Sequence, residues 1–102
     1  MKRTLIRYRF KNGSPEEWHR DIERFIEALD TDPELAGKIT YRAMRTAGGD
    51  YYHIATAVDQ ATADLLGERE FFDRYTARTG AVSGGEVEVV PLEVVAETKT
   101  RA

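Results

Sequence analysis

The chain contains no cysteine. Disulfides, thiolate metal sites and a cysteine nucleophile are therefore excluded. Histidine is nearly as scarce, with only His19 and His53 in 102 residues. Neither stands at a metal-ligand spacing with the other or with carboxylates, so no metal site is expected. No apolar run is long enough to span a membrane. Residues 1–7 begin with charge and never develop an apolar stretch, so no signal peptide is expected and a cytoplasmic location follows by default. The chain also lacks an excess of one charge: 15 Lys+Arg stand against 18 Asp+Glu, a net charge of −3. The charges are interspersed, with no basic patch to attract nucleic acid or an anionic membrane.

What is present is the composition of a folded domain, 41% hydrophobic and 32% charged. A length of 102 residues fits one domain, read here as residues 1–97 with a frayed tail at 98–102. Residues 4–10 alternate strictly, with Thr4, Ile6, Tyr8 and Phe10 on one face and Leu5, Arg7 and Arg9 on the other, which is the period of a strand. Ser14-Pro15-Glu16-Glu17 reads as a capped helix start. Trp18, Ile22, Phe25, Ile26 and Leu29 follow as one apolar helical stripe. Residues 38–45 and 51–58 read as a hairpin around Gly48-Gly49. Asp59 caps a second helix, along which Ala61, Leu65, Phe72 and Tyr75 keep helical spacing, and Gly67 is placed to split it in two. Residues 86–96 read as a fourth strand.

The order β-α-β-β-α-β is the ferredoxin-like, split βαβ arrangement of the α+β class: a four-stranded antiparallel sheet with both helices on one face. The opposite sheet face then needs cover. In the fourth strand Val87 and Val89 share one parity, whereas Leu92, Val94 and Ala96 share the other. A change of phase at Pro91 predicts a bulge or bend there, with an apolar arm beyond it that reaches a second subunit or folds back on its own sheet.

With these elements in place, the chain resembles the dimeric α/β-barrel superfamily and, within it, the antibiotic biosynthesis monooxygenase-like group. The likeness rests on the opening strand before Asn12-Gly13-Ser14, the hairpin strand leading into Asp59, the Phe71-Phe72-Asp73-Arg74-Tyr75 segment and the closing stretch 87–95. It implies a homodimer whose two sheets face each other, with a small aromatic or polyketide-like ligand between sheet and helices and no cofactor. It also implies where the haem-degrading members would keep their functional residues. Ala57 would stand in place of their tryptophan, Gly67 of their histidine ligand and Ile6 of their asparagine, so haem breakdown is not expected. Ala55 would stand where relatives often carry a glutamate.

His53 shares its strand parity with Ala55 and Ala57, a face that the resemblance turns toward the ligand. It is the candidate catalytic residue, as a general base. A structural histidine, hydrogen-bonded at the end of a hairpin strand, is the commoner reading of the same position. Tyr8, Tyr41 and Phe72 are the candidate ligand-binding residues, since a tyrosine offers an apolar ring and one hydroxyl to an aromatic ligand. Tyrosines suit a dimer interface equally. His19, beside Trp18, reads as a boundary residue. Glu86, Glu88, Glu93 and Glu97 read as a solvated, edge-protecting face. Two functions remain open: a cofactor-independent monooxygenase, and a non-catalytic binding or accessory dimer. An RNA-binding module of similar fold is disfavoured, because the basic-aromatic strand motif is absent.

Overall fold

A computed structural model of the chain describes residues 1–99. Seven elements follow in order: β1 (Lys2–Arg9), α1 (Pro15–Thr31), β2 (Ile39–Arg45), β3 (Asp50–Ala57), α2 (Gln60–Gly67), α3 (Glu70–Val82) and β4 (Val87–Leu92). The four strands form one sheet in the order β2-β3-β1-β4, antiparallel throughout. This is the ferredoxin-like α+β fold expected from the alternation, with the order β-α-β-β-α-α-β. Residues 93–99 adopt neither helix nor strand, and part of the expected tail, residues 100–102, lies outside the described residues. Among the described residues no helix is long and apolar enough to cross a membrane.

Local chemistry sets the element ends. Ser14 Oγ accepts from the Glu17 N–H at 3.4 Å, and Pro15 opens α1 where its missing N–H leaves no bond unmade. Asp59 Oδ1 accepts from the Thr62 N–H at 2.8 Å and starts α2. The tight β2–β3 turn needs positive φ at Gly49, which is 93°. The second helical segment does split at Gly67. Arg69, the residue before α3, is held in extended backbone and its guanidinium pairs with Asp32 at 2.9 Å and Glu34 at 2.7 Å. The break is thus tied to the loop that follows α1.

β4 corrects one expectation. The strand runs straight through Pro91, and its register against β1 is regular from Val87 opposite Tyr8 to Leu92 opposite Arg3, with no bulge. β4 is an edge strand, so alternate N–H groups have no ladder partner and proline is tolerated there. Strand structure ends at Leu92, so Val94 and Ala96 do not continue it and the expected shift of phase has no strand to act on.

The core lies between the sheet and the helices. Four of the five stripe residues on α1 are buried, namely Trp18, Ile22, Phe25 and Leu29, and Ile26 is half-buried beside them. They pack with Tyr8, Ile39, Tyr51 and Ala57 from the sheet and with Tyr75 and Val82 from α3. Among the described residues no helix covers the opposite face. There the strand register sets Ile54, Leu5 and Val90 in one row across β3, β1 and β4.

Candidate functional site

Three residues on one face of β3, namely His53, Ala55 and Ala57, mark out the site by their side-chain size. Ala55 and Ala57 leave space above the sheet, and a cavity of about 440 Å³ occupies it, walled by Ile39 and Tyr41 of β2 and by Ile6 and Val87 from the neighbouring strands. The helices close it with Phe25, Leu66, Phe72 and Tyr75. Its walls are mainly apolar. Two wall hydroxyls are turned back to the helix: Thr79 Oγ1 donates to the Tyr75 carbonyl at 2.9 Å, and Thr76 Oγ1 to the Asp73 carbonyl at 3.0 Å.

His53 is 0% exposed and does not line this cavity. Its ring is held on both sides by phenols. Tyr8 Oη is 2.8 Å from Nε2, Tyr41 Oη 2.6 Å from Nδ1 and Tyr75 Oη 3.2 Å from Nδ1. Tyr41 and Tyr75 also bond each other at 2.9 Å, and the Trp18 indole N–H donates to Tyr8 Oη at 2.8 Å. The result is a buried polar chain through an aromatic core. Tyr75 stacks on Phe25 with centroids 3.9 Å apart, and on its other neighbour Trp18 at 5.5 Å. These stacks fix the Tyr75 ring, and with it the hydroxyl.

Burial sets the electrostatics. It lowers the His53 pKa to about 4, so the imidazole is neutral at ordinary pH. Burial likewise raises Tyr8, Tyr41 and Tyr75 above the usual phenol range, and all three stay protonated. Neutral imidazole between protonated phenols can pass or hold hydrogen bonds without placing charge in the core.

Of the four residues singled out in the sequence, Tyr41 and Phe72 line the cavity, whereas Tyr8 and His53 sit behind its wall, with His53 joined to it through Tyr41 and Tyr75. Sequence reasoning did not place Trp18 and Tyr75 in the site; both read as stripe residues. Their polar tips were the available signal, because a buried indole N–H or phenol requires a partner. His19 stands apart, bonded to Tyr51 Oη at 2.7 Å at the edge of α1. Glu88 and Glu86 pair with Arg7 and Lys11 on the surface. Among the described residues no three His, Asp or Glu side chains converge as metal ligands.

No family model matches the sequence, and no curated protein does. Solved structures do match the fold. The chain is similar to an antibiotic biosynthesis monooxygenase, with a TM-score of 0.65 and 20% identity over 94% of this chain and 100% of that one. It is similar to SnoaB, a cofactor-independent oxygenase from Streptomyces nogalater, with a TM-score of 0.74 and 15% identity over 97% and 98%. A protein of unknown function from Nitrosomonas europaea matches with a TM-score of 0.70 and 11% identity over 99% and 96%. The fold is that of the antibiotic biosynthesis monooxygenase-like proteins, as the sequence resemblance implied.

Proposed function

We infer that this chain is a homodimeric, cofactor-independent monooxygenase-like protein that holds a small aromatic or polyketide-like molecule in the cavity between sheet and helices. The observation that carries this reading is the cavity itself. It is mainly apolar, about 440 Å³ in volume, and lined by two tyrosines whose hydroxyls are hydrogen-bonded to each other, in a fold shared with a cofactor-independent oxygenase. That size suits a ligand of two or three fused rings.

The chemistry asked of such a site is modest. An anthrone-like substrate, R₂CH₂, loses a carbon-bound proton to solvent, and its anion passes electrons to dioxygen. A carbon–oxygen bond forms to give R₂CH–OOH. Loss of water, with cleavage of the O–O bond, leaves R₂C=O. The substrate supplies every electron. The protein supplies position, a dry wall and hydrogen bonds to the oxygen on which the anion's charge rests. The Tyr41/Tyr75 pair would give one such bond, through whichever hydroxyl is not donating to the other, and Phe72 would pack on the rings. His53 enters through the hydroxyl pair and not by direct contact, as would Tyr8 beyond it.

The test is oxygen uptake with a panel of anthrones and phenols, read against the spontaneous rate. Uptake above that rate, lowered at least ten-fold in Tyr41→Phe, is expected. Uptake at the spontaneous rate throughout would overturn the monooxygenase reading. It would favour the non-catalytic binder, which one feature already supports: Ala55 and Ala57 bring no polar group to the cavity wall.

A further inference from the structure

The hydrogens of the buried chain can be counted. Trp18 Nε1 is only a donor, so Tyr8 Oη accepts from it. Tyr8 keeps one proton of its own, and within the described residues Nε2 of His53 is the one acceptor in its reach. If Tyr8 donates there, His53 carries its proton on Nδ1 and donates it to the Tyr41 and Tyr75 hydroxyls. One of these two then donates to the other, and a single O–H remains over. Both residues line the cavity, so the cavity is where the unused proton can find an acceptor. In the opposite direction Nε2–H would donate to Tyr8, whose own proton would be left buried with no acceptor, a loss of the kind folded proteins avoid. The forward direction leaves nothing orphaned in the core. Burial also keeps all three phenols protonated, which makes them donors.

We propose that Tyr8 is a positioning residue that directs the chain Tyr8→His53→Tyr41/Tyr75, and that the cavity accordingly takes its ligand through an acceptor oxygen, a carbonyl or oxyanion, at the Tyr41/Tyr75 hydroxyls. This rests on the small-molecule reading above and deepens it: the ligand has an apolar ring body and presents an oxygen lone pair, not an O–H or N–H, to the Tyr41/Tyr75 hydroxyls. It also gives His53 a role that its position behind the wall allows, because the ring relays the direction of the hydrogen bonds without meeting the ligand.

Two measurements test it. Long-range nitrogen–proton NMR on the full chain reads the His53 tautomer directly. The proton is expected on Nδ1, and Tyr8→Phe, which removes the donor to Nε2, is expected to lower the Nδ1–H population. A wild-type Nε2–H tautomer overturns the proposal, as does an Nδ1–H population unchanged in Tyr8→Phe. The second measurement compares binding of 1-tetralone, which carries a carbonyl acceptor, with tetralin, the same ring system without it. The ketone is expected to bind about ten-fold tighter, and the gap to close in the Tyr41→Phe/Tyr75→Phe double variant. Equal binding of the two probes by the wild type overturns the proposal. Preference for the ketone without any oxygen uptake would overturn the monooxygenase reading and leave this one standing, so the two failures are distinguishable.

Discussion

A fully buried histidine couples the stability of this fold to pH. His53 has no carboxylate among its hydrogen-bond partners, which are all phenols, and burial holds its pKa at about 4. In the unfolded chain a histidine titrates near 6.5. Between these values the unfolded state binds the extra proton and the folded state does not. Stability is therefore full above about pH 6.5 and falls as pH drops toward 4, by as much as about 3 kcal/mol, because each pH step of one across that window costs up to about 1.4 kcal/mol. Urea unfolding at pH 7, 5.5 and 4.5 should show this loss, and His53→Gln should flatten it. A variant with the wild-type slope would mean that some other group carries the acid sensitivity. The location of His53 was only half legible in the sequence. Its parity with Ala55 and Ala57 was readable, but its depth was not, because depth is set by Tyr41 and Tyr75 closing over the ring from two other elements.

At the scale of elements, the pattern of apolar spacing carried far. The α1 stripe and the alternation of β1 face each other in the core, as periods of 3.6 and 2 require when one face of each is buried. Phe25 shows what that packing is worth. Its ring stacks on Tyr75 at 3.9 Å and meets Tyr41 edge-on at 5.1 Å, so it supports both hydroxyl-bearing rings of the cavity. Phe25→Ala should lower stability by about 3–5 kcal/mol in chemical denaturation. A loss below about 1 kcal/mol would show that the stripe had repacked. What the spacing did not carry was the path of β4. Pro91 reads locally as a breaker, and only the sheet order, with β4 at the edge beside β1, reveals why a proline is harmless there. The split between α2 and α3 was signalled by Gly67, but the ion pairs from Arg69 to Asp32 and Glu34 that hold it join residues far apart in sequence.

For the whole molecule, the uncovered sheet face decides the next expectation. All three helices leave it bare, and it carries the half-buried row Ile54, Leu5 and Val90 with the exposed Tyr52, Met44 and Leu92 around it. Arg7 and Glu88 form an ion pair on the same face, next to that row. Apolar area of this kind, with charged residues beside it, has the make-up of a contact between proteins. The same surface on a second copy would match it by symmetry, since a two-fold contact sets each patch against itself. A dimer joined in this way would place the two cavities on its outer sides, each beneath its own helices, so neither would need the partner to be complete. Light scattering at micromolar concentration should therefore report twice the mass of the chain, and Ile54→Glu, which sets a charge at the centre of the row, should return the mass of one chain. Tetralone binding should survive in that variant, because Ile54 lies on the face of β3 opposite the cavity. A wild-type monomer would overturn the expectation outright. A dimer indifferent to Ile54→Glu would move the contact away from this face, to the edge strands β2 and β4.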